Sequence, residues 1–341
     1  MDLQRLTEGQ ALELIEGDPD TLRRLAHQAR CQRYPEGQAS YVVMRIVSYT
    51  NVCVADCSYC AFYRRPGDAE AYVLSHDRIA AKIDELIAAG GSLVAMEGGF
   101  HPKLKIEDYE DFFKNVRKRY GDAIEIYGPT IVEMIFLAKN SRITLEESLT
   151  RLQSAGLRWI PGGGAEILTD EWRRKLSPKK YTVKEYLDGM ETAQRLGLGT
   201  TATMVIGFGE SWKDRIEHLA RIRELQDKTA GFASFLLWTY QPDNTVWKGE
   251  RVSNEEYLKA VAVSRLFLDN VPVIRASFLT QYDQGPLALT WGAHDFDIPL
   301  EDQVTQLAGA KIERNVGRVL DWVKAAGIEA VKRKPFPVTR P

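Results

Sequence analysis

Cys53-Val-Ala-Asp-Cys57-Ser-Tyr-Cys60 gathers three of the chain's four cysteines into one short stretch, at spacings x3 and x2. Thiolates this close in sequence read as ligands to a metal rather than as a disulfide framework. Structural zinc normally takes a fourth protein ligand, whereas three thiolates suit a [4Fe–4S] cube with one iron left open. No fourth Cys or His lies near, since His76 is sixteen residues past Cys60. Structural zinc and a chance meeting of three buried cysteines stand as the alternatives at this point.

Working outward, Tyr41-Val-Val-Met-Arg-Ile-Val-Ser48 is rich in β-branched residues and predicts a strand that ends just before the cysteines. A repeat follows. A helix over 78–89 sets Ile79, Ile83, Leu86 and Ile87 on one face and stops at Gly90-Gly91, before a strand at Leu93–Met96. The next helix carries Tyr109, Phe112, Phe113 and Val116, and precedes a strand at Ala123–Ile126. Further strands are expected at 157–160, 200–206 and 232–239, with two weaker candidates at 272–279 and 287–291. Strands alternating with helices predict a parallel α/β sheet. Eight strands would complete a closed TIM-like (β/α) barrel; six would leave a partial one, and a doubly wound open sheet is the alternative.

Thr7-x-x-Gln10 predicts a capped helix, and a second is expected near 21–30 after Pro19. The expected organisation is a helical preamble over 1–40, a barrel over 41–300, and a C-terminal helical extension over 301–341. In the extension Ile312, Val316, Val319, Leu320 and Val323 fall at helical spacing. The tail from Lys332 is basic and proline-rich, without an assignable pattern.

With 44% hydrophobic residues, 27% charged and a net charge of −2, composition is that of an ordinary globular chain with no field for nucleic acid. No apolar run approaches a membrane span, and the N-terminus does not read as a signal peptide. Cysteine usage predicts a reducing, cytoplasmic setting, with Cys31 incidental.

In a parallel barrel the chemistry lies beyond the C-terminal ends of the strands. There the sequence places the cysteines, Glu97-Gly98-Gly99, Tyr127-Gly128, Gly162-Gly-Gly-Ala-Glu166, Gly207-Phe-Gly-Glu210 and Tyr240-Gln241-Pro-Asp-Asn-Thr245. Thr201 and Thr203 share one face of their strand. Glu97, Glu166, His294 and Asp295 are the acid–base candidates, by loop position alone.

Cys-x3-Cys-x2-Cys with an aromatic before the last cysteine resembles the radical S-adenosylmethionine (radical SAM) superfamily. That resemblance implies a [4Fe–4S] cluster on Cys53, Cys57 and Cys60 whose electron cleaves S-adenosyl-L-methionine to a 5′-deoxyadenosyl radical. It implies an external electron donor such as flavodoxin or ferredoxin. Gly98 and Gly99 resemble the glycine pair that receives the methionine moiety, and Gly207, Gly209 and Glu210 the motif that supports adenine and ribose. Tyr59 and Phe62 would shield the cluster and pack on adenine, and Thr201, Thr203 and Gln241 are further expected cofactor contacts.

Longer strings, among them Tyr49-Thr-Asn-Val-Cys53, Cys60-Ala-Phe-Tyr-Arg64, Pro161-Gly-Gly-Gly-Ala-Glu-Ile-Leu168, Leu176-Ser-Pro-Lys-Lys180 and Thr200-Thr-Ala-Thr-Met204, are similar to the cyclic dehypoxanthinyl futalosine synthases of menaquinone biosynthesis. This implies abstraction of a ribose C4′ hydrogen and closure of that carbon onto the benzoate ring, with loss of one electron and one proton. The chain departs from that pattern in four places, one being an end that lacks the familiar arginine-bearing terminal motif. Glu97 stands where glutamine is usual, Phe208 where a histidine follows the glycine, and Gly292-Ala-His-Asp295 where Gly-Ala-Asp/Asn-Asp-Leu-Gly is usual. A paralogue acting on another nucleoside or aromatic molecule is therefore the second expectation. An iron–sulfur electron carrier or sensor is the non-enzymatic one, disfavoured because a carrier needs no glycine-rich loops at successive strand ends.

Overall fold

The computed structural model describes residues 5–336; the outermost parts of the expected preamble and extension lie outside them. Nine strands form one parallel sheet: β1 Gln38–Thr50, β2 Leu93–Gly98, β3 Glu125–Tyr127, β4 Trp159–Ile160, β5 Gly199–Ile206, β6 Phe232–Thr239, β7 Val273–Ala276, β8 Asp295–Pro299 and β9 Glu329–Lys332. The first eight close a barrel, because β1 pairs with β8 through Ser40–Met44 and with β2 through Met44–Thr50. β9 extends the sheet below β2, along Gln38–Tyr41 of the same β1 edge.

Strand periodicity divides the side chains of β1 between two packing faces. Val42, Met44 and Ile46 of β1 pack in one apolar cluster with Leu93, Ala95 and Tyr127, while Tyr41, Val43 and Val47 join the large cluster that includes the surrounding helices. The helices carry matching stripes, such as Ile79, Ala80, Ile83 and Leu86 on His76–Ala88. The Thr7 capping box is formed as expected, and Pro19 opens the second helix, Pro19–Cys31.

Two expectations are corrected. The segment 287–291 is not a strand but lies in a 3-10 turn region, Tyr282–Thr290, and the eighth strand is Asp295–Pro299. Pro286 and Gly285 suit that tight turn, whereas Asp295-Phe-Asp-Ile-Pro299 alternates charged and apolar residues because its aspartates meet arginines. The segment expected to be a helical extension holds helices Gln303–Leu307 and Val316–Ala325 and also β9. Beyond β9, Phe336 stacks on Trp159 at 3.7 Å and meets the Tyr127 ring at a tilt, 5.3 Å away.

The lower barrel interior is charged. Arg275 contacts Asp297 and lies 3.4 Å from Asp295, which Arg333 grips with Nη2 at 2.7 Å. Removing one member strands buried charge on the others. Arg275→Met is expected to lower unfolding free energy by about 3–5 kcal/mol, read from urea denaturation; a loss within experimental error would show the ion cluster to be dispensable.

Candidate active site

The cysteine loop leaves the top of β1 and is held from four directions. Cys53 N donates to Arg64 O at 3.0 Å, and Arg64 N to Asn51 O at 2.8 Å, closing the loop on itself. Val54 N reaches Phe100 O beyond β2, and Ser58 N reaches Leu176 O. From the loop after β6, Val246 N and Trp247 N both donate to Ser58 O, at 2.9 and 2.7 Å. Asp56 adopts a positive φ at the loop's outer turn and pairs with Lys179 and Arg65.

The three sulfurs face one cavity of ≈ 220 Å³ at the barrel mouth. Burial pushes all three thiols up, Cys57 to about 12, so their thiolates need a compensating positive partner. Ala55 N and Phe100 N point at Cys53 Sγ, at 3.4 and 3.3 Å, as donors to a thiolate would. Among the described residues the only His/Cys/Asp/Glu group with ligand atoms within 4.8 Å of one another is His27, Cys31 and Glu36, at the outer helix Pro19–Cys31. The three loop cysteines, gathered on one cavity, are where an iron–sulfur group would fit. At the His27 group the Arg30 guanidinium stands 3.7 Å from the Cys31 sulfur, a poor setting for a cation.

Tyr59, Phe62, Glu97, Gly98, Gly99, Glu166, Thr203 and Gln241 line the same cavity as the cysteines. The reason for the glycine pair is internal to the chain. A Cβ on Gly99 would stand 2.2 Å from Val52 O, and one on Gly98 2.5 Å from the Tyr49 ring. The cysteine loop can therefore cross the end of β2 only where side chains are missing. Gln241 accepts from Arg251 and donates to Thr239 O at 3.2 Å.

Other expected contacts sit one layer away. Thr201 is deeper in the barrel, joined to the Tyr127 hydroxyl and accepting from Gly162 N. Glu210 turns back on its own loop, accepting from Gly207 N at 3.0 Å and Phe208 N at 2.8 Å, and is clasped by Arg215 at 2.7 Å. Gly207 takes φ +110°, with Val252 pressed against the space its side chain would fill. Gly207, Gly209 and Glu210 thus shape a turn, and Phe208 is the loop residue that reaches the cavity, packed on Tyr240 at 4.9 Å and Tyr59 at 5.5 Å.

The four acid–base candidates divide sharply. Glu166 accepts from Tyr59 Oη and from Lys180 Nζ at 3.1 Å, with Arg173 3.7 Å away. Those cations outweigh its burial and hold the carboxyl below its usual range, so it clamps the cysteine loop rather than offering a base. His294 and Asp295 are at the wrong end of the barrel. They begin β8, where His294 stacks on Tyr34 at 5.1 Å and Asp295 holds Ser40 and Arg333. The strand expected at 287–291 lies eight residues before β8, which had put them beyond its C-terminal end. Glu97 alone stands free in the cavity, between its mouth and the barrel interior. Burial, with Asp302 and Glu133 nearby, pushes it up to about 8.

Sequence reasoning missed Glu133, Lys180, Trp238, Thr239, Thr280 and Thr305 as site residues, all of which line the cavity. Glu133 had a visible signal, Thr130-x-x-Glu133 opening Ile131–Ser141, but the capping box formed there hides its second contact with Gly98 N at 2.8 Å.

Residues 47–222 match the Radical SAM superfamily, just over half of the chain. The chain belongs to the radical SAM superfamily. Residues 229–336 of this radical SAM enzyme match the CofH/MqnC C-terminal region. The chain is 39% identical to a cyclic dehypoxanthine futalosine synthase of Halalkalibacterium halodurans, across 99% of this chain and 92% of the relative. It is 38% identical to one of Streptomyces coelicolor, across 95% and 82%, and 33% identical to an aminodeoxyfutalosine synthase of Thermus thermophilus, across 90% and 86%. The fold is shared with methylornithine synthase at TM-score 0.75 and 18% identity, covering 96% of this chain and 94% of that one. A radical SAM enzyme is an iron–sulfur, S-adenosylmethionine-dependent catalyst, and the cysteine loop is where this one fits such a group.

The shift of Glu97 has a signed consequence. Its carboxyl holds its proton to about pH 8 when folded but to roughly 4.3 when unfolded. The stability it contributes is thus present below the lower value and lost as pH rises through the higher. Glu97→Gln is expected to flatten the fall of Tm between pH 5 and pH 8.5, measured in parallel melts; superimposable slopes would contradict the shift.

Proposed function

We propose that this radical SAM enzyme holds a [4Fe–4S] cluster on Cys53, Cys57 and Cys60 and cyclises dehypoxanthine futalosine in menaquinone biosynthesis. The observation that carries the reading is 39% identity, nearly end to end, with a relative of that activity. The cavity supports it by joining cysteines to an aromatic wall and a polar edge. When bound, the cluster and S-adenosylmethionine supply a hydrogen-abstracting 5′-deoxyadenosyl group through one-electron reductive cleavage.

The residues of the chain contribute binding and orientation. Phe62, Phe208, Tyr240 and Trp238 give flat apolar surfaces for a base or benzoate ring and exclude water. Thr203, Thr239, Gln241 and Thr305 offer hydroxyl and amide groups for sugar hydroxyls. Ribose C4′ and the benzoate ring belong to one substrate molecule, so holding them in contact makes ring closure intramolecular, where orientation is the main source of rate. The electron donor is a small external carrier of the flavodoxin or ferredoxin kind, in a reducing cytoplasm.

Glu97 favours a second reading, a paralogue acting on a different nucleoside or aromatic molecule. It puts an unpaired acid at the junction of the cavity and the barrel interior. Anaerobic reconstitution with iron and sulfide, reduction with dithionite, and mass spectrometry of S-adenosylmethionine and dehypoxanthine futalosine separate the two. The expected outcome is stoichiometric cyclised product and 5′-deoxyadenosine, both abolished in Cys57→Ala. Deoxyadenosine with untouched substrate would favour the paralogue.

A further inference from the structure

A chain of three buried side chains crosses the wall of the active site. Glu133 lines the cysteine-bearing cavity, and its Oε1 accepts from Tyr49 Oη at 2.7 Å. Tyr49 Oη is 2.7 Å from Tyr109 Oη, and since Tyr49 spends its own proton on Glu133, Tyr109 is the donor to Tyr49. Tyr49 and Tyr109 both line a second cavity of ≈ 420 Å³ on the other side of the wall. That outer cavity lies between helices His76–Ala88 and Ile106–Tyr120 and carries Glu107, Asp108, Asp111 and His76 among its lining. The remaining contacts of Glu133 are fixed donors: Gly98 N and Thr130 N and Oγ1. Burial pushes its carboxyl up, and Glu97 is the other acid facing it.

We propose that Glu133, Tyr49 and Tyr109 form a proton exit, carrying a proton from the substrate cavity to the outer cavity. The inference rests on the cyclisation reading, which requires a proton to leave the cavity. A C–H bond of the cyclised ring breaks, its proton passing to Glu133 and its electron pair staying in the ring. The one surplus electron leaves to a one-electron acceptor of the iron–sulfur class. Once protonated, Glu133 becomes the donor and the hydroxyls of Tyr49 and Tyr109 turn from their resting inward direction to point outward. The proton then passes from Glu133 to Tyr49, from Tyr49 to Tyr109 and from Tyr109 to water in the outer cavity, each hydroxyl releasing one proton as it receives one. Glu133 is the proton acceptor, and the tyrosines act through it.

Tyr109→Phe removes only the outermost hydroxyl, leaving Thr130, Gly98 and Tyr49 to hold Glu133. Two readouts are taken with it. The first is turnover of the reconstituted enzyme in H2O and D2O; the expected result is a roughly tenfold loss of kcat, about 1.4 kcal/mol, with a larger solvent isotope effect and unchanged KM. The second uses the protein without cluster, following exchange of the Glu133 carboxyl proton into D2O by infrared spectroscopy, with Glu133→Gln assigning the band. Exchange is expected to be slower in Tyr109→Phe than in the parent and unaltered in Asp111→Asn. Parent-like exchange in Tyr109→Phe overturns the proposal, whatever happens to turnover, because a merely structural role would slow turnover alone. Absence of cyclised product from the parent enzyme would sink the cyclisation reading, while the exchange measurement would still decide whether the path conducts.

Discussion

Strand β1 must satisfy both of its edges at once, and the rest of the molecule follows from how it does so. One edge takes β8 over Ser40–Met44; the other takes β9 low down and β2 higher up. Paired on both edges, β1 cannot slide, because a one-residue slip would turn Val42, Met44 and Ile46 out of the barrel. The cysteine loop inherits that rigidity, since Val52 and Cys53 follow β1 almost immediately and cross the glycines at the end of β2.

A second constraint is electrostatic. Three thiols and three glutamates crowd the top of the barrel, all of them groups that lose hydration there. Lys180 is the compensating charge, bonded to Tyr59 at 2.7 Å and to Glu166 at 3.1 Å. Burial alone would drive its proton off, but the Cys57 sulfur and Glu166 hold it on. The cation thus ties the cysteine loop to the loop after β4, where Glu166 sits at φ 45° with its backbone carbonyl accepting from Val205 N.

Much of this was legible in the residues, and the failures have a common cause. β1 to β6 could be found because their runs are apolar and bounded by glycine-ended helices, and β6 spans the expected residues 232–239. β8 was missed because two of its five residues are aspartates, whose burial makes sense only beside Arg275 and Arg333 from elsewhere in the chain. That one displacement carried His294 and Asp295 to the wrong end of the barrel. Likewise the Gly207–Glu210 turn was found, but which of its four residues faces the cavity depends on packing against Tyr240 and Tyr59. Glu133 shows the limit most clearly: a helix cap and a cavity-lining carboxylate have the same sequence signature.

The pairing of β1 with β8 also sets a problem for the chain while it is being made. Ser40 and Asp295 are 255 residues apart, so during translation β1 emerges from the ribosome long before the strand that seals its edge. Until then a run of apolar, β-branched backbone is left unpaired, the kind of edge that templates aggregation. Contacts of such long range close slowly, and the nascent chain spends that interval with its cysteine loop attached to an unfinished barrel. Chaperone occupancy of the β1 edge, and the timing of cluster delivery relative to release from the ribosome, therefore belong to the biogenesis of this enzyme as much as iron supply does.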